Sequence, residues 1–143
     1  VNAPKRIVPV PGLEDPSAFG YSQCVTVGPL VYLAGQCGLG PDHEIVSLDF
    51  AAQARRALDR VRLGVEAAGG TLDDIVTMTV FITDTRMGRV FTGIRKEYFK
   101  DRFPASALIG VSTLMPLHAL IEIQATAIVG SGHTGGSGRT SGT

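Results

Sequence analysis

Residues 75–83 read Ile-Val-Thr-Met-Thr-Val-Phe-Ile-Thr, a β-branched and almost wholly apolar run. Such a run predicts a central strand covered on both faces, because a solvated face would impose polar alternation. The cover has to come from somewhere. Two amphipathic helical segments can cover one face of a sheet, and there is no third helix for the other, which also carries apolar residues. An identical subunit is the simplest cover, so the pattern predicts a homo-oligomer.

The stronger helix spans residues 48–68. Ala54, Ala57, Leu58, Val61, Val65 and Ala68 recur at three- and four-residue spacing. Arg55, Arg56, Arg60, Arg62 and Glu66 fall off that stripe and are expected on its solvent side. Gly69-Gly70 supplies a left-handed stop, and Thr71 ahead of Asp73 and Asp74 predicts a short capped turn. The second helix covers residues 88–102, with Val90, Phe91, Ile94, Tyr98 and Phe99 on one side and Pro104 beyond its end.

Residues 25–27 and 30–34 flank Gly28-Pro29 as a hairpin, residues 38–42 read as a loop, and strands are expected over residues 107–111 and 120–129. In the last, Ile121, Ile123, Ala125, Ala127 and Val129 share a face. The lead-in to Gly20 carries Pro4, Pro9, Pro11 and Pro16 and reads as irregular chain or edge strand. The order β-β-α-β-α-β-β gives an α+β domain, a mixed sheet with two helices on one face. Residues 1–129 form this single domain, and the glycine-rich residues 130–143 read as a flexible tail.

Composition bounds the function. Lys plus Arg and Asp plus Glu are each 13, so the formal net charge is zero, which argues against nucleic-acid binding through a broad basic face. Apolar stretches fall short of the roughly 20 residues of a membrane span, and the first residues lack a signal-peptide core. With two cysteines, Cys24 and Cys37, and no disulfide framework, a reducing cytoplasm is the expected setting. There is no phosphate-binding glycine loop, no nucleophile elbow and no paired metal-ligand motif, so a metal site is not expected.

Glu122 is the first residue that suggests chemistry. It interrupts an apolar strand on the face opposite Ile121 and Ile123. There it is either a solvated edge carboxylate or a base in a subunit cleft, holding or activating a water. Tyr21 opens the first hairpin, where it either packs on the sheet or orients a polar ligand. Gly35 either brings backbone N–H groups close to a ligand or serves as a bulge or turn glycine. Cys37 reads first as a buried inert thiol, since no histidine is near it in sequence.

The motifs Tyr21-Ser22-Gln23, Val31-Tyr32-Leu33-Ala34-Gly35-Gln36, Gln53, Ala67-Ala68-Gly69, Leu72-Asp73-Asp74-Ile75-Val76, Thr79-Val80-Phe81-Ile82-Thr83-Asp84, Tyr98-Phe99, Phe103-Pro104-Ala105 and Ile121-Glu122-Ile123 resemble, in order and spacing, the Rid (reactive intermediate deaminase) family, also called YjgF or the L-PSP endoribonuclease family. The resemblance implies a chorismate-mutase-like fold, a homotrimer with clefts between subunits, and cofactor-independent hydrolysis of 2-imino acids and their enamines to 2-keto acids and ammonia. It also implies Glu122 as the catalytic, water-positioning residue, with Tyr21 and Gly35 in the cleft.

The chain departs from that pattern in three places. Ser106 stands where the family's Pro-Ala-Arg-Ser motif places a carboxylate-binding arginine, Thr92 aligns with an asparagine, and one residue is inserted within residues 114–118. A serine offers one neutral donor in place of a bidentate cation. The expectation is therefore a hydrolase for a small imine, enamine or amide lacking the usual carboxylate, with Tyr21, Gly35, Ser106, Cys37 and His118 as substrate-side residues. His118 is either a solvated loop histidine or an extra proton carrier brought near by the inserted loop. The alternatives are a metabolite-binding or regulatory trimer and, less favoured at zero net charge, a ribonuclease or translation inhibitor.

Overall fold

The computed structural model describes residues 2–133. The hairpin pairs β2 (Cys24–Val27) with β3 (Leu30–Leu33), and a short strand before it, β1 (Lys5–Ile7), extends the edge. After β3 comes a two-residue strand, β4 (Gln36–Cys37), then α1 (Phe50–Ala67), β5 (Ile75–Ile82), α2 (Gly88–Phe99), β6 (Ala105–Gly110) and β7 (Ile121–Ile128). The sheet runs β1-β2-β3-β7-β5-β6, and β4 also pairs with β7. All pairings are antiparallel except β5 with β6, so the sheet is mixed.

Local chemistry sets the element ends. Asp49 caps α1 by accepting from the Ala52 N–H at 2.9 Å, so the helix begins two residues later than the apolar stripe alone suggests. Gly69 adopts φ +86° just past its end, as the glycine pair predicts. The Asp74 carboxylate accepts from the Thr71 N–H at 2.9 Å in the turn before β5. α2 stops at Phe99, short of Arg102, because Lys100 turns to φ +60°. β6 starts at Ala105, two residues before the expected strand, since β5 offers it a parallel ladder from Thr77 onward.

Both helices pack on one face of the sheet. Val31, Leu33, Met78, Val80, Ile82, Ile121, Ile123, Ala125 and Ala127 line that face and are buried against Ala54, Ala57, Leu58, Val61, Val65, Phe91 and Ile94. Burying side chains of this size stabilises the fold by about 1.5–3 kcal/mol each for the larger ones. The opposite face keeps Tyr32 and Ile109 exposed, with Val25, Val27, Phe81 and Ile128 half-buried. Within one chain β5 therefore has a single fully covered face.

Two sequence expectations need correction. Arg60, assigned to the solvent side of α1, is only 2% exposed. It sits four residues before Gly64 and seven after Gln53, on the flank of α1 that crosses β4, where a glutamate and a glutamine satisfy it. The residues after β7 are also tied down at first: the Gly132 N–H donates to Asp74 Oδ1 at 2.7 Å, and Ser131 Oγ donates to the Ile128 carbonyl. The rest of the segment read as a tail, residues 134–143, lies outside the described residues. Among the described residues, no helix is long and apolar enough to cross a membrane.

Candidate active site

Glu122 lies on β7 opposite Cys37 of β4 on one side and Phe81 of β5 on the other. The period of two that buries Ile121 and Ile123 under the helices turns Glu122 to the open face of the sheet. There it is half-buried and makes no hydrogen bond or ion pair with any described residue. Burial pushes its carboxyl above the usual glutamate range.

Gly35 gives the carboxylate its seat. Tyr32 pairs with Thr126 and Gln36 with Ile123, so one strand takes four steps while its partner takes three. The extra residue is a bulge between β3 and β4, and Gly35 is in it. A Cβ at Gly35 would lie 2.5 Å from Glu122 Oε1 and 2.8 Å from its Cδ. Gly35 is thus a bulge glycine, and the group that approaches it closely is the Glu122 side chain.

A closed polar ring fixes the backbone beside this seat. Arg60 donates through Nη2 to Glu14 Oε1 at 2.7 Å and through Nε to Gln36 Oε1 at 3.0 Å. Gln36 Nε2 donates to Gln23 Oε1 at 2.7 Å, and Gln23 Nε2 returns to the Glu14 carbonyl at 3.2 Å. Burial works to raise the Glu14 carboxyl, but the Arg60 bond, a backbone N–H bond and the Arg60 charge together outweigh it and hold the group below its usual range. The ring joins the residues next to Gly35 and Cys37 to the residue two beyond Tyr21. Neither Glu14 nor Arg60 stood out in the sequence as a site residue.

Gln53 performs the same service for the strand that carries Glu122. It is fully buried on α1, donates to the Ser47 and His118 carbonyls at 2.8 and 3.0 Å, and accepts from the Leu120 N–H at 2.8 Å. The loop of residues 111–120 is thereby pinned two residues before Glu122. His118 takes part through its carbonyl and a left-handed backbone (φ +66°), while its side chain is exposed.

Tyr21 is 48% exposed. Burial raises its phenol, and the charges of Glu14 and Glu122 push the same way against the pull of Arg60. Tyr21 therefore stands within electrostatic reach of the seat. It also borders a groove of ≈ 370 Å³ along the N-terminal segment, lined by Val8, Val10, Leu13, Glu14 and Gln23 among others, which Glu122 does not line. Cys37 is buried, and burial together with the Glu122 charge pushes its thiol up to about 12. That is the inert thiol, placed as a wall beside the carboxylate.

Ser106 is elsewhere in the chain. It pairs with Met78, a helix-face residue, so it lies on the opposite face from Glu122. Two strand spacings and three residues along β5 separate them, roughly 14 Å between Cα atoms. The structure brings Glu122, Gly35 and Cys37 together, sets Tyr21 on the neighbouring groove, and leaves Ser106 apart on an exposed edge strand.

The sequence profile described as Endoribonuclease L-PSP matches residues 13–129. The chain belongs to that family. A 2-iminobutanoate/2-iminopropanoate deaminase from Dermatophagoides farinae is 34% identical over 128 residues, covering 89% of this chain and 98% of that one. A RutC family protein from Sulfurisphaera tokodaii is 42% identical over 104 residues, covering 72% of this chain and 82% of its own. A solved structure, the putative endoribonuclease of Thermotoga maritima, superposes with a TM-score of 0.79 at 32% identity over 86% of this chain and 96% of that chain. The L-PSP family fold therefore carries the Glu122 seat on its open sheet face. The resemblance read from the motifs and the observed mixed sheet with two helices agree.

Proposed function

We propose that the chain is a hydrolase that deaminates a small imine or enamine without a cofactor, in clefts between the subunits of a cytoplasmic homotrimer. The observation that carries this reading is Glu122: a half-buried carboxylate with no partner among the described residues, raised by burial and seated against Gly35 on an apolar face. A carboxylate held in this way is a base looking for a proton. Relatives named as 2-iminobutanoate/2-iminopropanoate deaminases support the choice of reaction.

In the proposed reaction Glu122 takes a proton from a water molecule as the water oxygen adds to the imine carbon. The nitrogen takes up both protons of the water, the first returned by Glu122 and the second lost from the new hydroxyl group. The carbon–nitrogen bond then breaks, releasing ammonia, and the remaining oxygen becomes the carbonyl of the product. No change of oxidation state occurs. Tyr21 and Ser106 hydrogen-bond the substrate, Gly35 and Cys37 line its seat, and His118 relays protons from the loop.

A small substrate cannot span Glu122 and Ser106 of one chain, given their opposite faces. The cleft accordingly pairs the Glu122 face of one protomer with the β6 edge of the next, which also covers the apolar residues left open by the two helices. The test is ammonia release from imines generated in solution by an amino-acid oxidase, together with the mass in solution. Accelerated release by a particle of three 15.0 kDa chains is expected. A monomer, or no acceleration over a panel of imines and enamines, would overturn the proposal.

A further inference from the structure

Arg95 lies on α2 and reaches β6, where Nη1 donates to Ser106 Oγ at 2.5 Å. Its guanidinium carbon stands 5.0 Å from the centre of the Phe91 ring, and Nη1 is 3.8 Å from Met78 Sδ. All three partners are uncharged. Arg55, Arg60, Arg62 and Arg86 each hold a carboxylate at 3.6 Å or less. Arg95 is half-buried, and no carboxylate of the described residues pairs with it. Burial pulls it below the usual arginine range with no anion to offset the cost.

The remaining hydrogen-bonding capacity points one way. A guanidinium has five N–H donors in a planar fork, and Ser106 engages one of them. Because Ser106 Oγ accepts that bond, its own O–H is left to donate. All of β6 is exposed, so the pair is accessible at the sheet edge. A partly desolvated fork beside a spare hydroxyl suits a planar anion that accepts parallel charge-assisted bonds.

We infer that Arg95 and Ser106 together bind a carboxylate, so that α2 supplies the cation that position 106 does not. The imine or enamine substrate then carries a carboxylate, and Arg95 is the residue that selects it. This inference rests on the reading of β6 as the second wall of the cleft. It replaces the expectation, drawn from Ser106 alone, that the substrate lacks that group.

The test titrates the 143-residue protein with 2-oxobutanoate and with butanone, which shares the skeleton without the carboxylate. Wild type should bind the 2-oxo acid in preference, and Arg95→Gln should lose about 30-fold or more of that affinity with butanone unaffected. Arg95→Lys keeps the charge and loses the fork; an intermediate loss there guards against a folding defect in the first variant. Adding Ser106→Arg to Arg95→Gln should restore binding. Equal affinity of wild type and Arg95→Gln for 2-oxobutanoate, or no preference over butanone, overturns the inference. Measuring turnover alongside separates the two readings. An active enzyme indifferent to Arg95→Gln sinks the carboxylate site alone, and an inactive protein that binds through Arg95 sinks the hydrolase alone.

Discussion

Replacing Gly35 by alanine should disable the site while leaving the fold intact. The added Cβ would meet Glu122 Oε1 at 2.5 Å, Cδ at 2.8 Å and Cγ at 3.1 Å. Ordinary contact requires the carboxylate to retreat by roughly 1 Å. What must move is the end of a flexible side chain, and Gly35 does not occupy a left-handed conformation, so stability should change by less than about 1 kcal/mol. Misplacing a reacting group by about 1 Å costs on the order of 100-fold in rate. Gly38→Ala provides the contrast: its Cβ would lie 2.7 Å from the Gln53 Cα and carbonyl oxygen, main-chain atoms that cannot step aside. That variant should lose stability first. The assay is ammonia release from an oxidase-generated imine, paired with thermal unfolding. Gly35→Ala with activity within about threefold of wild type would refute the reasoning, as would a Tm loss as large as that of Gly38→Ala.

Three further outcomes follow from the same geometry. The Glu122 carboxyl is raised by burial, so its charged form costs stability above its unfolded value and that cost fades as pH falls. Glu122→Gln should therefore raise Tm at pH 7, with the gain shrinking toward pH 4, and the acid limb of kcat/KM in wild type should lie above the range of an ordinary glutamate; a Tm loss at pH 7 would contradict this. Removing Arg60 as Arg60→Ala leaves Glu14 and Gln36 without their partner and should cost about 3–5 kcal/mol in denaturant unfolding, whereas Arg60→Met with Glu14→Leu should recover much of it. The lowered Glu14 carboxyl adds stability that is present above its unfolded value and disappears as pH falls through its folded one, so the wild-type advantage over the double variant should narrow in acid. With its thiol near 12, Cys37 should resist alkylation in the folded protein at pH 8, the thiolate being on the order of one molecule in ten thousand; rapid labelling by iodoacetamide would contradict the burial.

The sequence made the layers legible because they rest on period and capping. The 3.6-residue stripe of α1, the glycine stop after it and the alternation in β7 each bury a definite face, and each appears where the pattern predicts. β4 was not legible as a strand and β1 only as one of two readings of the proline-rich lead-in: two and three residues carry too little alternation, and they pair only because a longer strand is already in place. Arg60 misleads any reading by polarity, since its burial depends on Glu14 and Gln36, residues 46 and 24 positions away. At the site, Glu122 announced itself as a charge within an apolar strand, and Gly35 as a glycine at a strand end. Their contact depends on the bulge register, which no local pattern encodes. The Arg95–Ser106 bond is hidden for the same reason, a helix side chain meeting an edge strand eleven residues on.

The most direct test is turnover by Glu122→Gln, with 2-oxobutanoate affinity measured on the same sample. The amide keeps the size and seat of the side chain and removes the base. A kcat lower by about 100-fold or more, with affinity retained, is the predicted result. Turnover within about threefold of wild type would contradict it.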